Sequence, residues 1–280
     1  MPTATEKLKK FAEENRTILC FGIDPDMEKI DGKGGGGTTE EQIVAYYSAI
    51  TDALLDENQI SAIKPNYAYF AQYGFDGLRA LKNLIEQYQN RTFVILDGKR
   101  GDIGKSSDAY AREVYDFWGA DACTVSPYMG SDSVLPFLRD GKFAYVLCRT
   151  SNEGAKDFQE RKIGRKYLYE SVAEKAVEWN GNGPDHTCGL VVGATSDSIK
   201  QITTITKNKV PLLIPGIGAQ GGDLEIVMKT IGGKKNNPYI HRINASSSIA
   251  FAYEKLGGKP KDAALKEARK LNDGIREFLL

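Results

Sequence analysis

Residues 93–107 read FVILDGKRGDIGKSS, and an apolar run there passes directly into Asp97, then Lys99, then Asp102. Two positions apart on an extended chain, Asp97 and Lys99 share one side of it. Charges that follow so closely on a buried run must be paired, because an unpaired ion beside a core is expensive. A second lysine, Lys64, closes another apolar run within AIKPNYAYF. If the two runs are neighbouring parallel strands, Lys64 stands beside Asp97 and the charges alternate Lys, Asp, Lys, Asp, each with a partner. Such a network suits a reaction that leaves negative charge on carbon. A carboxylate departing as carbon dioxide leaves its bonding electrons behind, and a fixed ammonium can stabilise the developing anion and then protonate it. Lys99 is the candidate for that ammonium.

These side chains need a scaffold that delivers several strand ends to one place. Eight short apolar runs rich in Val, Ile and Leu fall at about 17–24, 60–65, 92–97, 121–126, 144–149, 187–193, 210–215 and 239–244. Stretches with helical spacing separate them, at 39–57, 67–89, 105–118, 131–140, 165–180, 196–207, 222–231 and 259–279. Strands that are apolar on both faces and divided by helices imply a parallel sheet. Eight such units predict a single-domain α/β fold, the (β/α)8 TIM barrel, spanning 1–280 with an added N-terminal helix at about 2–15 and a C-terminal one at about 259–279; an open doubly wound sheet is the structural alternative. The runs end in Asp24, in Lys64 and Asn66, in Asp97 and Lys99, in Ser126, in Arg149 to Ser151, in Thr195, in Pro215 to Gly218 and in Asn244 to Ser248. In a closed barrel those ends converge at one mouth, where a site is assembled from several loops. Two irregular segments flank this pattern: GKGGGG at 32–37, without the spacing of a phosphate-cradling loop, and a long polar loop at 149–164 that can fold over a ligand.

Composition narrows the function classes. The 280 residues are 41% hydrophobic and 26% charged, with 37 basic and 37 acidic side chains spread along the chain. No basic field is present to hold a nucleic acid. The charged N-terminus lacks the apolar run of a signal peptide and no later window offers a membrane span, so the expected location is the cytoplasm. Cys20, Cys123, Cys148 and Cys188 each sit within an apolar run without a CxxC pair and read as reduced core residues. His186 and His241 have no metal-ligand partner at helical or loop spacing, so no metal site is expected.

With these residues in place, the chain resembles the orotidine-5′-phosphate decarboxylase family. DGKRGDIGKS is similar to the family signature DxKxxDIxxT, and GIDPD, KPNYAYF, RTSNEG and PGIGAQGGD resemble its other strand-end motifs, the match running from about residue 18 to residue 252. The RTSN and PGxGAQGG forms resemble one subgroup in particular. The resemblance implies decarboxylation of orotidine 5′-phosphate to uridine 5′-phosphate (UMP), the last step of de novo UMP synthesis, with no cofactor and no metal. It implies that Lys64, Asp97, Lys99 and Asp102 are catalytic, with Lys99 as proton donor. It further implies a homodimer in which Asp102, Ile103 and Ser106 are donated across the interface. Ser106 stands where threonine is usual and keeps the hydroxyl. By the same resemblance Asp24 contacts the ribose, Thr150 and Ser151 read the pyrimidine, Pro215 packs against it, and Gln220 bridges base and phosphate. Gly216, Gly218, Gly221 and Gly222 let backbone N–H groups approach the phosphate.

One position departs from the pattern. The family's last strand ends in an SR pair whose arginine clamps the phosphate, whereas here, in HRINASSSIAFA, Ser247 takes that position. A hydroxyl is a poor substitute for a bidentate guanidinium. Either Arg242 or another basic residue reaches the phosphate instead, helped by Ser246 to Ser248, or the chain is a weakened or repurposed member. The alternative for Arg242 is a mere charge at the bottom of the barrel or on the surface. Two rival functions stay open at this point: a Mg2+-dependent decarboxylase or aldolase of a 3-keto sugar phosphate, for which Asn66 and Gly98 stand where further carboxylates would help, and a non-catalytic nucleotide-binding homologue.

Overall fold

The apolar runs become strands because they are rich in β-branched and aromatic residues, and they pair in parallel because a helical crossover separates each barrel strand from the next. The computed structural model describes residues 3–30, 32, 36–182, 187–194, 197–217, 223–233 and 236–279. Its strands are β1 (Leu19–Ile23), β2 (Ala62–Pro65), β3 (Phe93–Arg100), β4 (Ala122–Val125), β5 (Phe143–Arg149), β6 (Lys162–Ile163), β7 (Lys166–Tyr167), β8 (Cys188–Val192), β9 (Leu212–Pro215) and β10 (Arg242–Ala245). All except β6 and β7 close into a parallel barrel in the order β1-β10-β9-β8-β5-β4-β3-β2. Because β1 pairs with both β2 and β10, the sheet has no edge, which rules out the open doubly wound alternative. The short antiparallel hairpin β6–β7 lies inside the long segment after β5.

Helices cover the outer face, among them Thr39–Asp56, Gly74–Tyr88, Leu168–Asn182 and Pro260–Arg276. The expected helix at 67–89 is broken into Tyr67–Ala71 and Gly74–Tyr88, since Gly74 sits at φ +60°, where a right-handed helix cannot continue. The expected helix at 105–118 runs as Gly104–Arg112 and then widens into a π-helical turn over Glu113–Phe117. The stretch at 131–140 shortens to Ser131–Val134 followed by a 3-10 turn that contains Pro136. Likewise, the last barrel strand begins at Arg242 rather than 239, because Pro238–Ile240 forms a 3-10 turn.

The two ends of the barrel are finished differently. The helix Ala4–Asn15 starts at Thr3, whose hydroxyl accepts the Glu6 N–H at 3.1 Å while the Glu6 carboxylate accepts the Thr3 N–H at 2.8 Å. Its Ala4 and Leu8 pack with Cys20, Ala62, Phe93 and Tyr145 from the barrel interior and so plug the N-terminal end. A second and larger apolar cluster fills the space between the barrel and its helices. The four cysteines are buried and free. Among the described residues no helix is long and apolar enough to cross a membrane.

Candidate active site

Alternation along each strand carries the inner face from apolar residues at the plugged end to polar ones at the open end. On β2 the sequence is Ala62 then Lys64; on β3 it is Phe93, Ile95, Asp97; on β4 it is Ala122 then Thr124. Glycine makes room where loops must approach. A Cβ on Gly22 would lie 1.8 Å from Ser246 Oγ, and one on Gly193 would lie 2.7 Å from the Ser151 backbone.

Lys64 Nζ lies 2.7 Å from Asp97 Oδ2, and Lys99 Nζ lies 2.6 Å from Asp97 Oδ1. Thr124 Oγ1 completes the cluster, donating to Asp97 Oδ1 at 2.8 Å and accepting the Lys99 backbone N–H at 2.9 Å. Lys64 and Asp97 are buried, whereas half of the Lys99 side chain is exposed to the mouth, at 51%. Burial alone would raise the Asp97 carboxyl, but the ammoniums of Lys64 and Lys99 outweigh it and hold Asp97 well below the usual carboxylate range. Burial likewise works to lower Lys64, and the charges of Asp97 and then Asp24 overcome it, so Lys64 is raised. The site therefore holds a carboxylate locked in its ionised form between two cations.

The backbone is bent to achieve this. Leu96 pairs with Cys123 and Arg100 with Val125, so β3 spends four residues where β4 spends two. Lys99 sits within this bulge at φ +44°, a left-handed conformation that disfavours a side chain with a Cβ. Asp97 and Lys99 thus reach one charge cluster through a bulge, rather than through plain alternation on an extended strand. Arg100 braces it from outside, paired with Glu113 at 2.7 Å and stacked between Tyr67 and Tyr110 at 4.5 and 4.8 Å.

Two adjoining cavities open around the cluster and share Lys64 and Pro215. One, about 320 Å³, is lined by Asp97, Lys99, Thr124, Thr150, Ser151 and Gln159. The other, about 400 Å³, is lined by Asp24, Asp26, Lys29, Gly216, Asn244 and Ser246 to Ser248. Over the first cavity the segment after β5 is folded back on itself: Arg149 holds Glu160 at 2.7 Å, and Gln159 Oε1 accepts the Thr150 N–H at 2.8 Å. In the second, Asp24 Oδ1 and Asn244 Oδ1 are buried and accept no hydrogen bond from the described residues.

The remaining sequence candidates divide by location. Asp102, Ile103 and Ser106 stand apart from the cluster. Asp102 and Ser106 line a shallow surface depression with Tyr110 and Glu113, Asp102 accepts the Ile103 N–H at 2.8 Å, and Ile103 is 51% exposed. Gly218, Gln220, Gly221, Gly222, Thr195 and His186 lie outside the described residues. Arg242 must be corrected. It is the first residue of its strand and points into the plugged end, where its guanidinium donates to the carbonyls of Tyr239, at 3.0 Å, and of His241 and Leu8. Fully buried there, and lowered by that burial to about 10, it has no path to the open mouth and cannot replace the arginine missing at position 247.

Thr124, Gln159 and Lys29 were not picked out by the sequence reading, and Asn244 was named only as a strand end. Asn244 is the last inward position of its run, whereas Thr124 lies inside an apolar run and nothing in its spacing marks it. Gln159 and Lys29 sit in polar loops where nothing in the spacing marks them. Among the described residues no three His, Cys, Asp or Glu side chains converge as a metal site would require.

Comparison with known proteins gives a consistent result. The family model "Orotidine 5′-phosphate decarboxylase / HUMPS family" matches residues 17–255. The orotidine 5′-phosphate decarboxylase of Janthinobacterium sp. (strain Marseille) is 39% identical over 99% of this chain and 99% of its own. Among solved structures, the OMP decarboxylase of Leishmania donovani aligns with a TM-score of 0.79 at 33% identity, over 99% of this chain and 100% of that one. The UMP synthase of the same organism aligns with a TM-score of 0.81 at 34% identity, and this chain spans 57% of that longer one.

Proposed function

The chain belongs to the orotidine 5′-phosphate decarboxylase family and converts orotidine 5′-phosphate to UMP, and we propose that it does so with Lys99 as the acid that protonates the carbon losing carbon dioxide. The observation that carries this reading is the clamping of one ionised, buried carboxylate between two ammoniums at the mouth of the barrel. In this mechanism the pyrimidine lies in the smaller cavity with its carboxylate toward Asp97. The bond from ring carbon to carboxylate breaks, its electron pair stays on the carbon, and carbon dioxide departs. Lys99 gains most from the charge that develops on the carbon and then donates its proton there, so its contribution is to the transition state. Lys64 and Thr124 keep Asp97 charged and in place throughout. Thr150 and Ser151 are assigned to the pyrimidine edge and Pro215 to its face. Asp24 and Asn244, which line the second cavity and each keep a buried acceptor oxygen without a partner among the described residues, are assigned to the ribose hydroxyls. Gln220 and the glycines Gly218 and Gly221 are assigned to the phosphate end.

We propose further that the working form is a homodimer and that Asp102, Ile103 and Ser106 complete the partner's site. Their separation from the cluster of their own subunit supports this, as do the neighbouring exposed apolar side chains Tyr128, Met129 and Leu135. The cytoplasm is the expected compartment, in keeping with four buried free cysteines.

The test is the fall in absorbance as orotidine 5′-phosphate is consumed by the purified protein, with Lys99→Ala as control and EDTA present. Turnover that EDTA leaves intact and Lys99→Ala abolishes is the expected result. Inertness toward orotidine 5′-phosphate, or a Lys99→Ala variant of wild-type activity, refutes the mechanism.

A further inference from the structure

The larger cavity carries a puzzle of charge. If the pyrimidine occupies the cavity with Lys99, the phosphate of the same molecule must enter the adjoining one. That cavity presents two carboxylates, Asp24 and Asp26, to an arriving dianion. Its cations among the described residues are Lys64, already committed to Asp97 at 2.7 Å, and Lys29. Ser246, Ser247 and Ser248 add hydroxyls but no charge. Arg242, at the start of the same strand, faces the plugged end.

We infer that Lys29 is the phosphate-binding cation of this enzyme and that Glu254 competes with the phosphate for it. Lys29 lies on the turn of helix Met27–Ile30 that follows β1, and it reaches across to the segment after β10. There its ammonium stands 4.9 Å from the centre of the Phe251 ring and 3.1 Å from Glu254 Oε2. The ring attracts the ammonium through its charge and fixes its position without using an N–H donor. The pair with Glu254 is half-exposed, at 37% and 43%, so it is weakly held and the ammonium can exchange one anion for another. Phe251 and the three serines line the same cavity as Lys29, so the ammonium and the hydroxyls face a common space. A lysine acts on phosphate as a point charge with rotatable donors, which suits a site where no guanidinium fork is present.

This inference rests on the decarboxylase reading, and the test separates the two. The specificity constant kcat/KM is measured for orotidine 5′-phosphate and for orotidine, which lacks the phosphate, using wild-type protein and the Lys29→Ala, Lys29→Arg and Glu254→Gln variants. A charge-assisted contact to phosphate predicts that Lys29→Ala lowers the ratio of the two constants by about 10- to 100-fold, that Lys29→Arg restores most of it, and that Glu254→Gln leaves the ratio unchanged or raises it. A salt bridge serving only to staple two loops predicts instead that Lys29→Ala and Glu254→Gln behave alike. Equal losses in those two variants, or a ratio for Lys29→Ala within twofold of wild type, overturn the inference while leaving the decarboxylase reading intact. Wild-type protein inert toward orotidine 5′-phosphate overturns both. Lys29→Gln, which keeps the stem over Phe251, replaces the alanine variant if circular dichroism shows that one unfolded.

Discussion

Thr124→Val isolates one atom of the proposed machinery. The Thr124 hydroxyl donates to Asp97 Oδ1 at 2.8 Å and accepts the Lys99 N–H at 2.9 Å, so it ties the carboxylate to the strained residue that carries the proton donor. Valine keeps the shape and removes both bonds. A hydrogen bond to an ionised carboxylate is worth about 1.5–3 kcal/mol, and a buried amide left unsatisfied adds about 1 kcal/mol or more. Because the two share one atom they do not simply add, and a total of about 2–4 kcal/mol is expected. At about 2 °C per kcal/mol for a chain of this size, the melting temperature falls by about 4–8 °C. If 1.4–2.8 kcal/mol of that loss falls on the aim of Lys99 in the transition state, kcat falls by about 10- to 100-fold. KM changes little, since the hydroxyl is committed to Asp97 and Lys99 rather than to the substrate. Thr124→Ser restores the hydroxyl and recovers most of kcat. Steady-state kinetics on orotidine 5′-phosphate and thermal melts of all three proteins supply the measurements. A valine variant with kcat within twofold of wild type refutes the reasoning, and so does a serine variant as impaired as the valine one, which would point to the methyl group.

Other perturbations probe the rest of the molecule. Arg242→Met strips the donors from three buried carbonyls at the plugged end; calorimetry is expected to show a loss of about 3 kcal/mol, with kcat/KM of the folded enzyme unaltered. His241 is fully buried, its Nδ1 accepts the Leu212 N–H at 3.1 Å, and burial together with Arg242 lowers it to about 3. A group depressed in this way stabilises the fold above its unfolded value of about 6.5 and loses that contribution as pH falls toward its folded value, at about 1.4 kcal/mol per pH unit. Wild-type stability is therefore expected to drop by about 2–3 kcal/mol between pH 6 and pH 4 through this residue, and His241→Asn, followed by urea titration at both pH values, is expected to flatten that slope. Lys64→Ala and Asp102→Asn are each expected to be inactive. Equal mixtures refolded together regain activity only if sites are shared, because half the dimers are then hybrid and each hybrid has one intact site, giving about a quarter of wild-type activity. A mixture that remains dead sinks the shared-site proposal.

The barrel was legible in the sequence because its strands are short, apolar on both faces and separated by helices, a pattern that few other arrangements satisfy. Lys64, Asp97 and Lys99 were legible because charge directly after a buried run demands a partner, and neighbouring strands supply it. What the sequence concealed was direction and detail. Taking the last strand as 239–244 puts Arg242 past its midpoint, in reach of the mouth; the 3-10 turn at Pro238–Ile240 moves the strand's start to Arg242 and turns that side chain to the plugged end. Thr124 was hidden because a threonine in ACTV reads as ordinary β-propensity. The fold of the segment after β5, with its helix Ala155–Phe158 and its β6–β7 hairpin, was hidden because its side chains are nearly all polar and it is held by polar contacts such as Arg149 to Glu160 and the Thr150 N–H to Gln159, which leave no periodic pattern.

The placement of the ionic cluster is itself an argument for its use. Apolar residues of similar volume at positions 64, 97 and 124 would extend the barrel core, and replacing a buried ion pair in this way is commonly neutral or stabilising by about 1–4 kcal/mol. The left-handed backbone at Lys99 costs about 1–2 kcal/mol more. A fold selected for stability alone has no reason to carry either. At the plugged end, where nothing needs to react, the buried guanidinium of Arg242 donates to backbone carbonyls with no acid paired to it, and the buried acid Asp121 meets one partly exposed ammonium, that of Lys7, and the Val94 N–H. Among the described residues, a buried carboxylate clamped between two ammoniums occurs only where strand ends meet the open cavities, so the stability it forgoes is best explained by the charge it holds ready for the reacting carbon.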